Sequence, residues 1–113
     1  MTNVEWIKIA ESISEIPFQA NQMCVVDVRE KKITLVQYKD EFFAIAYKCP
    51  HASGIMANGF IDALGNAVCP LHRYKFNIKN GRNTTGEGYF LKTYGLEVNE
   101  NGVFIAFIKS GLF

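Results

Sequence analysis

The chain has 113 residues, of which 49% are hydrophobic, with twelve Lys and Arg against eleven Asp and Glu for a formal net charge of +1. That length predicts a single domain over 1–113 with enough apolar material for a core, and the composition excludes a disordered chain. The balanced charge excludes a nucleic-acid or polybasic membrane role, because neutralising phosphates takes a clear cationic excess.

In chain order, Trp6–Ala10 and Met23–Val28 are short apolar runs with β-branched residues and predict strands. One helical turn is expected around Glu11–Glu15, ended by Pro17. Ile33–Tyr38 and Phe42–Tyr47, separated by a polar Lys-Asp-Glu, predict a hairpin. Tyr94–Asn99 and Val103–Ile108 flank Glu100-Asn101-Gly102, where Asn-Gly supplies the positive φ angles of a tight turn. Trp6 and the nine phenylalanines are expected in the core. No apolar run approaches the roughly 20 residues that span a bilayer. The opening Met1-Thr2-Asn3-Val4-Glu5-Trp6 lacks the basic and apolar regions of a secretory signal, so the expected location is the cytoplasm.

Between the two hairpin regions the texture changes. From Cys49 to Gly88 the chain carries six glycines and only brief apolar pieces, such as Phe60-Ile61 and Ala67-Val68. A long irregular stretch inside a compact domain is usually functional. This one holds both histidines and two of the three cysteines: Cys49-Pro50-His51, seventeen residues, then Cys69-Pro70-Leu71-His72. Each segment offers one thiolate and one imidazole along a turn, and two such turns facing each other make four soft or borderline ligands for a metal centre. The prolines restrict each loop before metal arrives, and Gly54 lets the first loop turn sharply. An odd, small number of cysteines does not make a disulfide scaffold. Cys24 is expected as a small buried hydrophobe.

This pattern resembles the signature of the Rieske family, Cys-x-His and Cys-x-x-His separated by fifteen to seventeen residues, and the likeness extends over nearly the whole chain. The resemblance implies an all-β fold: an antiparallel β-sandwich or barrel with a loop-rich cluster-binding subdomain over about 48–88. It implies one 2Fe–2S cluster, with Cys49 and Cys69 on the buried iron and His51 and His72 on the outer iron through Nδ1. The competing reading is a zinc-stabilised interaction module, since two cysteines and two histidines also form a zinc set. Zinc sites usually pair like with like, whereas each segment here is mixed.

Departures from the family pattern are informative. High-potential members carry a further cysteine in each loop, at positions matching Gly54 and Leu71. They also place a serine and a tyrosine after the last histidine, where this chain has Tyr74 and Phe76. Without those hydroxyl donors to the cluster sulfurs, a potential near the lower end of the family range, about −150 mV, is expected. Many members have glycine where this chain has Arg73. Many also carry a proline in a third cluster-covering loop, whereas Thr84-Thr85-Gly86-Glu87-Gly88 has none, which predicts a more exposed or differently built lid. Lys48, Arg73, Lys75, Lys79 and Arg82 surround these segments as a candidate docking patch.

The implied function is electron transfer between a reductase and an oxygenase or similar enzyme, without an active site of its own. A complete oxygenase is excluded, because its mononuclear iron needs two further histidines. The alternative is an accessory subunit, since the chain is also similar to the small subunit of NAD(P)H-dependent nitrite reductase.

Overall fold

A computed structural model describes residues 3–108. It is built from ten strands: β1 (Val4–Ala10), β2 (Met23–Val28), β3 (Lys31–Tyr38), β4 (Glu41–Ala46), β5 (Phe60–Ile61), β6 (Asn66–Val68), β7 (Lys75–Asn77), β8 (Thr93–Tyr94), β9 (Leu96–Asn99) and β10 (Gly102–Ile108). They form three antiparallel sheets in the orders β1-β10-β9, β2-β3-β4-β8 and β5-β6-β7. The only helical pieces among the described residues are single 3-10 turns at Ile13–Glu15 and Met56–Asn58. The first falls inside the expected Glu11–Glu15 turn. Among the described residues no helix is long and apolar enough to cross a membrane.

The hairpins follow from turn chemistry. Arg29 and Glu30 join β2 to β3, and Lys39 and Asp40 join β3 to β4, all four at positive φ of 49–68°. That is the turn twist that matches two right-twisted strands. Tyr38 pairs with Glu41, so Glu41 belongs to β4 rather than to the turn. In the last hairpin the positive φ falls on Gly102 (138°) and not on Asn101. The Asn101 N–H instead donates to the Asn99 side chain at 2.8 Å, a side-chain-stabilised turn.

The four-stranded sheet is covered on both faces, and Ile33 to Val36 of β3 are all buried. Ile33 and Leu35 pack with Cys24, Val28, Ala44 and Ile105 in one core, toward β10. Val36, with Met23 and Ile45, faces a second core holding Met56, Ala67, Phe76, Ile78, Leu91 and the two motif cysteines. Alternation along one strand thus serves both layers, and the second layer is the one that supports the ligand loops. Cys24 is buried in the first core, as expected.

The expectation of a core Trp6 is corrected. Ile7 and Ile9 of β1 face the first core, so Trp6 points to the opposite side and is 49% exposed. Of the eight phenylalanines within the described residues only Phe76 is fully buried, while Phe60 and Phe90 are exposed. Phe113 lies outside the described residues.

Candidate metal centre

Both ligand segments are hairpin loops closed at the neck in the same way. β4 runs into the first, where Lys48 bridges Ile55 and the Cys49 N–H donates to the Gly54 carbonyl at 2.7 Å. The second joins β6 to β7, with the Cys69 N–H donating to the Tyr74 carbonyl at 2.9 Å. In each loop the cysteine sits at the neck, against the core, and the histidine follows two or three residues later at the tip. Burial follows from this layout. Cys49 and Cys69 are 3% and 0% exposed, His51 is half-buried and His72 is exposed.

The four side chains come together as two pairs. The Nδ1 atoms of His51 and His72 lie 3.4 Å apart, with ring centroids at 4.8 Å. The two thiols share one buried core, and burial pushes the Cys69 thiol up to about 11, the Leu71 backbone N–H opposing the rise and the neighbouring Cys49 adding to it. Among the described residues, no three His, Cys, Asp or Glu side chains gather around one point that could hold a single ion. A mononuclear zinc needs four donors around one centre, whereas two bridged metals need two donors each. The arrangement here is two and two. It fits the bridged pair and not the zinc.

Close approach, not backbone twist, requires Gly54. A Cβ there would lie 2.9 Å from the Cys69 sulfur and 3.1 Å from Leu71 Cγ. The positions expected to match the extra loop cysteines of high-potential relatives therefore face each other, filled here by a hydrogen and a leucine. The sharp turn itself falls on Ser53, at φ 60°. In the second loop His72 and Arg73 both adopt left-handed backbone, at φ 58° and 59°. A side chain in that region costs about 1–2 kcal/mol relative to glycine, partly offset by glycine's greater entropy when unfolded. Arg73→Gly is therefore expected to stabilise the protein by about 1 kcal/mol, read as a higher denaturation midpoint.

Sequence reasoning missed the aromatic wall around the imidazoles. Tyr74 lies over His51 with centroids 4.2 Å apart, and Tyr89 lies 5.4 Å from His51 and 5.9 Å from Tyr74. Burial raises the Tyr74 phenol, with the Glu87 carboxylate adding to the shift. Phe76 is fully buried, consistent with its reading as a core residue with no hydroxyl to offer.

The residues of the candidate docking patch have different neighbours. Arg73 adjoins His72 and is exposed, but Lys75 reaches Asp62 at 3.5 Å, and Lys79 lines a groove with Glu41, Phe42, Leu96 and Val98. Asp62 itself is held below the usual carboxylate range by the Asn66 and Leu64 N–H groups and by Lys75, against the upward push of burial.

The sequence profile of the Rieske [2Fe-2S] domain matches residues 5–94. The chain belongs to the Rieske family. Its cofactor is accordingly one Rieske-type 2Fe–2S cluster. A similar protein is the 3-phenylpropionate/cinnamic acid dioxygenase ferredoxin subunit of Photorhabdus laumondii, 30% identical over 74 residues, or 65% of this chain and 70% of that one. Two solved structures share the fold. One is the ferredoxin in a complex of reduced oxygenase and oxidised ferredoxin from carbazole 1,9a-dioxygenase, 24% identical with TM-score 0.74, covering 89% and 92% of the two chains. The other is an NADH-dependent nitrite reductase small-subunit candidate from Mycobacterium tuberculosis, 17% identical with TM-score 0.77, covering 95% and 98%. At these identities the structural likeness speaks for the Rieske fold alone.

Proposed function

We propose that this Rieske domain is a ferredoxin, read over 1–113 as one cytoplasmic domain with its cluster-binding part at about 48–88. It carries one electron between a reductase and an oxygenase or similar terminal enzyme. Cys49 and Cys69 hold the inner iron, and His51 and His72 hold the outer iron through Nδ1. The observation that carries this reading is the two-and-two donor arrangement, with a buried sulfur pair and imidazole Nδ1 atoms 3.4 Å apart at the surface.

When bound, the cluster supplies a one-electron redox centre with no bond made or broken in the partner. The rest is the work of the chain. Both thiols sit in an apolar core, and burial pushes Cys69 up to about 11, so iron uptake at neutral pH must displace its proton. Two neutral imidazoles in place of thiolates remove two negative charges from the donor set, which raises the potential above that of all-cysteine ferredoxins. The loop-tip histidines bring the outer end of the site to the surface, so a partner needs only a modest contact area there.

Support for a ferredoxin role, rather than an enzyme, comes from the relative named as a dioxygenase ferredoxin subunit. The fold likeness to the nitrite reductase candidate leaves an accessory-subunit role as the second reading. Copurification with a large sirohaem enzyme would favour it. Electron paramagnetic resonance after dithionite reduction tests the main reading: the anisotropic signal of a mixed Cys/His cluster is expected, and a silent spectrum would overturn it. In a redox titration the midpoint is expected near about −150 mV, because Phe76 offers no hydroxyl to the cluster sulfurs. A clearly positive midpoint would contradict that account.

A further inference from the structure

The third loop, which lacks the expected proline, is tied together by one carboxamide. Asn83 Nδ2 donates to the Lys75 carbonyl at 3.0 Å, to Thr85 Oγ1 at 3.0 Å and to Glu87 Oε1 at 2.9 Å. Its Oδ1 accepts the N–H groups of Glu87 at 2.6 Å and Gly88 at 2.9 Å. The Thr85 hydroxyl donates to the Glu87 carboxylate and accepts the Lys75 N–H at 3.2 Å. The Thr85 and Asn83 hydrogen bonds hold Glu87 below the usual carboxylate range.

One backbone bond adds to these: the Thr84 N–H donates to the Lys75 carbonyl at 2.9 Å. Residues 84–88 are all exposed, and Gly86 and Gly88 stand in open space at φ 89° and 86°. A proline stiffens a loop by removing backbone freedom; here a side chain with both donors and acceptor engaged does so instead. The residue that follows is Tyr89. Its ring stands 5.4 Å from His51, and Tyr74 lies 4.2 Å from the same ring. Among the rings of the described residues, His72 pairs with Tyr74, at 6.2 Å, and with His51 itself.

We infer that Asn83 is a positioning residue: through the 83–88 loop it keeps Tyr89 against His51, screening the first-loop imidazole and leaving His72 as the open edge of the site. The inference rests on the reading of His51 and His72 as ligands of the outer iron. Water and solutes reach the outer iron past His72, and Tyr89 closes the other approach.

The test is the loss of visible absorbance from anaerobic, cluster-loaded protein in excess EDTA, with thermal unfolding recorded for each variant. Tyr89→Ala and Asn83→Ala are each expected to speed the loss by about tenfold, as removal of a supporting contact does at other metal sites. The double variant should be no faster than Tyr89→Ala, because both act through one ring. Tyr89→Phe, which keeps the ring, should match the native rate, and so should Phe90→Ala, which removes the neighbouring exposed ring. Asn83→Asp sets a carboxylate against Glu87 and the Lys75 carbonyl and should bleach fast, and adding Glu87→Gln, which relieves only the first of these, should slow the bleaching in part. Native-rate bleaching in Tyr89→Ala would overturn the inference. So would native-rate bleaching in Asn83→Ala. A native protein without the mixed-ligand resonance signal would instead sink the ligand assignment beneath it.

Discussion

Cys69→Ala is expected to yield a colourless protein with neither iron nor acid-labile sulfide. Cys69 is completely buried at the neck of the second loop, and its thiol faces that of Cys49 across the second core. Each iron of a bridged pair draws only two donors from the protein, so loss of one sulfur removes half of the inner iron's protein ligands. No other described cysteine can replace it, since Cys24 packs in the opposite core. Cys24→Ala is therefore the matched control: the same truncation of a buried thiol, with colour and iron retained. Iron and sulfide analysis of the two variants decides the matter. Iron retained by Cys69→Ala with an unchanged resonance signal would remove the sulfur assignment.

The second large effect is expected from Gly59→Ala, a residue that touches no metal. A Cβ at Gly59 would lie 1.9 Å from the Val68 carbonyl oxygen and 3.3 Å from Pro70 Cδ. Both contacts flank Cys69, so the added methyl pushes on the second loop from below. The oxygen belongs to β6 backbone, where Val68 pairs with Phe60 and Lys75, and it has no room to retreat. Overpacking against backbone of this kind is expected to cost about 3 kcal/mol or more. In a chain of this size that lowers the melting temperature by roughly 10–20 °C. Cluster content should fall with it. A variant melting with the native protein would show that β6 can shift, contrary to its pairing on both sides.

The strands were legible because their signals are local. β2 runs over Met23–Val28 as expected, and the β3–β4 hairpin departs from expectation at its ends: β3 begins at Lys31, and β4 takes in Glu41 and stops at Ala46. The candidate ligand loops stand out for a different reason: Cys and His are rare, and their grouping carries chemistry that needs no knowledge of contacts. Trp6 defies its residue type because alternation decides its side: Ile7 and Ile9 fix the buried face of β1. Tyr89 and Asn83 were illegible in a stricter sense. Tyr89 meets His51 across 38 residues of chain, and Asn83 acts through a web of short-range side-chain bonds that no periodicity announces. The missing proline pointed to the right loop, but its replacement by a carboxamide could be read only from geometry.

The two sulfurs lie inside the same apolar layer as Met56, Phe76, Ile78 and Leu91, with almost none of their surface open to solvent. A donor protein cannot hand over its cargo to atoms it cannot reach. Loading during biogenesis must therefore come before this layer shuts, or must wait for the hairpin tips to lift away from it. With these sulfurs as the proposed ligands, maturation is a matter of timing: a chain that closes before loading stays folded and redox-silent until that layer opens again.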